Sequence, residues 1–244
     1  MTVAERTARL RGPCDAALIP LAQLFAADFP EITFPPGKNL VQLFWRGGLW
    51  GHDCIEVFWQ QSADISDIQA SPTAELDGSH TIAACVLDPE RICDFPWYQE
   101  LPDEILERLH ERVPEPEEAE ETADELDGYD DSLQYPPSFY WKMSAAPGFK
   151  VGGSMNWSTT SMPEVVCPDC RAPSTLLLQL DTYEWAPGQP DSHWCPLEDR
   201  QLVPGTPAYK FACEPTGLTI GGSGHGGVFV CSANPAHAVQ FRCQ

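Results

Sequence analysis

Two pairs of soft ligands stand out in this chain of 244 residues. Cys167-Pro-Asp-Cys170 sets two thiols at C-x2-C spacing just ahead of the apolar run Thr175-Leu-Leu-Leu-Gln-Leu180. Val228-Phe-Val-Cys231-Ser-Ala-Asn-Pro-Ala-His237 sets a thiol and an imidazole just after a second apolar run. Thiolate and imidazole are the donors of closed, tetrahedral zinc sites, which hold structure and leave no position for water. Two strands paired antiparallel put the end of the second beside the start of the first. Cys231 and His237 then fall near Cys167 and Cys170, as a candidate zinc knuckle. Cys195, Cys213 and Cys243 compete for the third and fourth ligand positions.

Other chemistries are less well served. A redox Cys-x2-Cys wants a helix N-terminus behind it to hold its thiolate, and Arg171-Ala-Pro173 leads here into a strand. Gly221-Gly-Ser-Gly-His-Gly-Gly227 lacks the Lys-Ser/Thr of a phosphate loop and also runs into a strand, so it reads as a tight hairpin. Its backbone amides and His225 are the alternative, a small-ligand or enzyme site completed by nearby carboxylates. Asp181, Glu184, Asp191, Glu198 and Asp199 cluster in sequence, but nothing fixes the separation that paired carboxylate catalysis needs. No nucleophile elbow or Ser-His-Asp arrangement is visible. The reading is therefore non-enzymatic, with Trp157 and Trp185 as candidate aromatic anchors for a partner.

The elements that position these residues are read as short strands. The 24 prolines and 18 glycines fit many turns, and a hydrophobic content of 43% is enough for a sizeable core. Leu40–Trp45, Cys54–Trp59 and Ile82–Leu87 read as strands, and Asp94-Phe-Pro-Trp-Tyr98 as an aromatic cover over one edge of the core. Leu101, Ile105, Leu106 and Leu109 share one face of a helix that Pro114 ends. From Asp103 to Asp131 there are 14 acidic and 2 basic residues, a local net of −12; the Glu-rich part reads as a mobile, solvated insertion. Arg6, Arg9 and Arg11 precede Ala16–Ala22 without a clean cleavage site, so residues 1–38 read as an amphipathic helical segment rather than a leader.

A single domain spanning 1–244 results: the helical segment 1–38, a first half 40–100, helix and acidic insertion 101–134, and a second half 135–244 carrying the knuckle. Its class is mainly β (α+β), with antiparallel sheets in two related halves. A faint repeat relates the halves. Leu40-Val-Gln-Leu-Phe matches Leu177-Leu-Gln-Leu-Asp181, pairing Gln42 with Gln179, and Gly51-His52 matches Gly224-His225 ahead of a strand in each copy. No run approaches a membrane span. A net charge of −22 argues against nucleic acid or an anionic membrane as partner. The ten cysteines read mostly as reduced, buried, small apolar residues of a cytoplasmic protein.

Pro147-Gly-Phe-Lys-Val-Gly-Gly153, Trp157, Cys167/Cys170, the Leu-rich run at 176–180 and Gly227–His237 together resemble the YwqG-like (DUF1963-type) proteins of bacteria, most closely an actinobacterial branch. The similarity reaches back to Leu40–Trp45, and the programmed cell death protein 2 group is a distant relation. One departure is Ser154, where that family often has an aromatic. The resemblance implies an antiparallel fold of two related halves. It also implies a role in protein binding: the eukaryotic group is thought to chaperone a basic ribosomal protein, and bacterial members have been linked to toxin immunity. An acidic binder of a basic protein partner is the expectation, with oligomeric state open.

Overall fold

The leucine run Leu176-Leu-Leu-Gln-Leu180 is nearly continuous rather than alternating, as in a strand covered on both faces. In the computed structural model, which describes residues 18–46, 55–66, 82–112, 138–157, 159–188 and 192–244, that is its environment. It lies in β5 (Ser174–Asp181), flanked by β4 (Lys150–Val151) and β6 (His225–Cys231), with β7 (Gln240–Cys243) beyond. The order β4-β5-β6-β7 is antiparallel throughout. A second antiparallel sheet is the meander β1 (Leu18–Phe25), β2 (Leu40–Arg46) and β3 (Ile55–Gln60). The protein is mainly β, with three α-helices among the described residues: α1 (Asp103–Arg112), α2 (Ser138–Met143) and α3 (Pro207–Cys213).

Three layers result. The inner face of β2 (Val41, Leu43, Trp45) packs with Ile19, Leu24 and Ile55 onto Leu178, Leu180, Val228, Val230 and Phe241 of the four-stranded sheet. The opposite face of that sheet, carrying Leu176 and Phe229, is roofed by Trp97, Tyr98, Tyr140, Met155, Trp157 and Leu106 of α1. A bulge sorts β5 between the two: Leu176 pairs with Phe229 while Leu178 pairs with Val228, leaving Leu177 as the extra residue. The outer face of the meander mixes the edge-to-face pair Phe44–Phe58 with polar groups, where Gln42 bonds Gln23 at 2.7 Å and Gln60 also bonds Gln42. The sheets meet closely. The gap lined by Leu21, Trp45, Ile55, Leu180, Ile220 and Phe241 holds about 10 Å³, room for one water-sized sphere and no ligand.

Four expectations need correction. Residues 18–25 form an edge strand, not a helix. Pro20 disfavours a helix interior, and an edge strand accepts it where the pairing shifts between Pro20 and Ala22. Ile82–Leu87 joins no sheet and Val86 is 98% exposed; its central Ala83 and Ala84 bring too little apolar area to reward pairing. Ile105 faces outward while Leu101, Leu106 and Leu109 pack inward, because the buried face of α1 centres on Leu106. Cysteines are not mostly buried: Cys85, Cys93, Cys170 and Cys243 are exposed, and none of the eight described cysteines is in a disulfide. The acidic insertion and Gly51-His52 lie outside the described residues. Gln42 and Gln179, matched by the repeat, occupy unlike sites, since Gln179 is buried and bonds Ala146 and Gly148.

Gly226 lies beneath Phe241, and a Cβ there would stand 2.3 Å from its ring. Gly226→Ala is expected to destabilise the fold by about 1–3 kcal/mol. Gly222→Ala, with nothing near its Cβ, is expected to be close to neutral. Urea denaturation of the two variants checks the contrast.

Candidate metal centre

The β5–β6 register places Ser174 opposite Cys231, so the loop before β5 and the loop after β6 emerge side by side. Cys167 and Cys170 come from the first, Cys231 ends β6, and His237 comes from the second. Their four ligand atoms all lie within 4.8 Å of one another. Cys167 Sγ is 3.5 Å from His237 Nδ1, and Cys170 Sγ is 3.4 Å from Cys231 Sγ. A tetrahedron with zinc-like bond lengths has edges of about 3.5–3.8 Å; these two separations are close to that length, and the remaining ones stay within 4.8 Å.

The surrounding backbone is built to hold that separation. The Cys167 amide donates to Ala172 O at 2.8 Å, the Arg171 amide donates to Cys167 O at 2.9 Å, and Arg171 sits at φ 64° to close the turn. Across the site, the Ala238 amide donates to Asp169 Oδ2 at 2.8 Å, joining the two ligand loops beside His237. The Ser232 hydroxyl and amide both donate to Pro173 O, at 2.7 and 3.0 Å. The Gln240 amide group donates to Val166 O at 2.7 Å.

The thiols feel one another. Burial pushes the Cys231 thiol up, but the Asn234 amide, a hydrogen bond with Cys170, the Ala233 amide and Cys167 together bring it below the usual range. For Cys170 the Ala172 amide pulls down, and the bond with Cys231, desolvation and the neighbouring Cys167 outweigh it, so its thiol rises. One thiol of the pair therefore ionises ahead of the other. The competing cysteines stand apart: Cys195 and Cys213 pack with Trp185 and Tyr209, and Cys243 lies against Gly221.

The other end of the same strand pair carries a second polar group. His225 lies opposite Asp181, and Lys150 opposite Gln179, on the face of the sheet away from the meander. Lys150 Nζ donates to Asp94 Oδ2 at 2.9 Å and to Ser154 O at 2.5 Å. Asp94 also accepts the amides of Ala146 and Ser154, at 2.7 and 2.9 Å. Asp181 accepts from the Gly148 amide at 3.2 Å and from Tyr183 at 3.1 Å, and Glu184 from the Phe149 amide. Three carboxylates thus clamp the loop before β4. Burial pushes Asp181 up and Lys150 down, in each case against neighbouring partners. Burial and then Asp181 push Glu184 up to about 7. Gln179 Oε1 and Ser144 Oγ are buried there without a partner.

The remaining expected site residues behave differently. Trp157 is 5% exposed and stacks on Phe229 at 6.1 Å, while Trp185 is 1% exposed and meets Tyr209 edge-on. Neither ring is presented to solvent as an anchor, because both complete the covering layer of the four-stranded sheet or its flank. His225 is half-buried as the first residue of β6, with Nε2 2.7 Å from Asn156 O. The glycine-rich segment is a tight turn closed by the Gly224 amide on Ile220 O at 2.8 Å, and Gly226 and Gly227 lie buried within β6. Sequence reasoning missed Asp94 and Lys150, whose separation along the chain leaves no spacing signal. Neither a protein-family model, nor a curated protein, nor a solved structure matches the chain. Among the described residues no helix is long and apolar enough to cross a membrane.

Glu184 titrates higher in the folded chain than its ordinary 4.5. Its contribution to stability is full below that value and is lost as pH rises through about 7. Glu184→Gln removes this loss while keeping an acceptor for Phe149. The variant is expected to gain on the wild type as pH rises from 5 to 8, by at most about 3 kcal/mol. Paired urea titrations across that range measure it, and a difference independent of pH contradicts it.

Proposed function

We propose that the chain is a non-catalytic β scaffold of the YwqG-like type, stapled by one structural zinc, that binds a basic protein partner in the cytoplasm. The closed Cys167–Cys170–Cys231–His237 set carries the first part. Four protein donors within 4.8 Å of one another fill a tetrahedron and leave no place for a metal-bound water, which a catalytic zinc requires. The ion would supply folding energy by tying the loop before β5 to the loop after β6. The thiols of the described residues are all free, which suits a reducing compartment.

Charge supports the partner. A net −22 repels nucleic acid and anionic lipid and draws cationic proteins. The buried carboxylates and Lys150 are each engaged with groups of the chain itself, which favours a holding role over catalysis. With Trp157 and Trp185 internal, the apolar side chains offered outward lie on the segment from Val86 to Phe95 and on the β5–β6 connection. There Phe211 is 72% exposed and Leu197 76%, and an aromatic ring at such a place is the usual anchor.

Purified under reducing, chelator-free conditions, the protein is expected to contain about one zinc per chain. Cys170→Ser should release it, and Asp169→Ala, which removes the tie to Ala238, should weaken it about tenfold or more. Elemental analysis and chelator competition decide this, and substoichiometric zinc in the wild type overturns it.

For the partner, affinity capture from the native cell is expected to return a basic protein that leaves the complex at high salt. Neutralising Glu117, Glu118, Glu120 and Glu121 should slow association with little change in dissociation, since attraction is screened over about 8 Å. Phe211→Ala should do the reverse. Binding rates across a salt series separate the two effects, and rates indifferent to salt and to the Glu changes remove the acidic residues from recognition.

A further inference from the structure

The four metal-site residues are unequally sheltered. Cys167 and Cys231 are buried, His237 is half-buried, and Cys170 is exposed. The exposed thiol is also the one with a second sulfur at its side, the 3.4 Å approach of Cys170 to Cys231. Cys167 has the His237 imidazole at 3.5 Å and also lies beside both other sulfurs, but it is buried where Cys170 is open. Both thiols must be deprotonated to serve as ligands, so exposure and not the order in which the free thiols ionise selects Cys170 as the attacking sulfur and Cys231 as the resolving one.

We propose that Cys170 is a site of oxidative modification, where a peroxide forms a Cys170–Cys231 disulfide and so empties the metal site. The inference rests on the zinc reading above. Cys170 Sγ attacks one peroxide oxygen and breaks the O–O bond, giving a sulfenic acid and, after proton uptake, one water. Cys231 Sγ then attacks the sulfenic sulfur, forming the S–S bond and expelling the hydroxyl as a second water. The two sulfurs lose two electrons and the peroxide gains them, so no further co-reactant is needed. Only Cys167 and His237 remain as donors, and two ligands do not retain the ion.

The reach of the bond follows from the fold. Cys170 belongs to the loop before β5 and Cys231 to the end of β6, so the disulfide replaces the metal as a covalent tie between the same two segments. The strand pair stays joined while the His237 loop loses its ligand. A local Cys167–Cys170 bridge would leave the two segments unconnected, which makes the identity of the bridge the deciding observation.

The zinc-loaded full chain is treated with hydrogen peroxide, released zinc is followed with a chromogenic indicator, and peptides are mapped by mass spectrometry after alkylation. The expected result is one zinc released per chain as two thiols disappear, a linked peptide containing Cys170 and Cys231, and recovery of zinc binding after reduction by a dithiol. Cys170→His keeps four donors without the exposed thiol and should lose zinc at least about tenfold more slowly. A Cys167–Cys170 bridge, bridges confined to Cys85, Cys93 or Cys243, or zinc retained with Cys170 oxidised to a sulfinic acid would each overturn the assignment. So would wild-type release rates in Cys170→His. Absence of zinc before peroxide is added overturns the metal reading, and the switch with it, and is seen at a separate step.

Discussion

The register between β5 and β6 is the constraint on which both polar centres of the molecule depend. Ser174 against Cys231 at one end brings four soft ligands together, and Asp181 against His225 at the other sets the buried carboxylates beside the loop at 146–149. A shift of one residue would send every side chain of β5 to the other face. It would also part Cys167 and Cys170 from their partners. The register is held by apolar burial on both sides, Leu178, Leu180 and Val228 facing the meander and Leu176 and Phe229 facing the aromatic layer. Binding chemistry at the ends and packing in the middle are therefore one solution to one alignment.

The central strands were legible in the sequence because their pattern and their position agree. Leu40–Trp45, Ile55–Trp59, the leucine run and Val228–Cys231 are apolar enough to need covering, and all four are strands. The grouping of Cys167, Cys170, Cys231 and His237 followed from antiparallel pairing alone, since spacing and strand direction together limit where the ligands can fall. Features decided by distant neighbours were not legible. Residues 18–25 form a strand because the edge of β2 is there to receive them, whatever local propensity says. Ile82–Leu87 reads as a strand in sequence but pairs with neither sheet. A tryptophan's type does not tell a surface anchor from a buried ring: Trp157 is part of the roof, and Trp185 is buried in a separate cluster with Tyr209. Asp94 reaches Ala146, Lys150 and Ser154 from an irregular segment far off in the chain, a contact that no periodicity announces.

Charge is arranged in two ways. The ion pair of Lys150 with Asp94 is nearly sheltered from water, and the neighbouring amides that Asp94 accepts offset the cost of burying it. Such a group does more to fix the path of the loop than to add net stability. The excess of acid over base in the chain as a whole acts at longer range and is screened by salt. The first kind of charge shapes the scaffold, and the second sets which partners approach it.

The extra residue in β5 has a consequence for how this strand tolerates change in length. Leu176 and Leu178 are of the same parity, yet they serve opposite faces, because Leu177 is looped out of the pairing between them. Removing Leu177 would restore a regular ladder and leave the metal-ligand end and the carboxylate end each on its present face. Removing a residue on either side of the bulge without such compensation would invert one end relative to the other. The bulge is therefore a joint between two independently facing halves of one strand, a place where evolution can adjust length without trading one polar centre for the other.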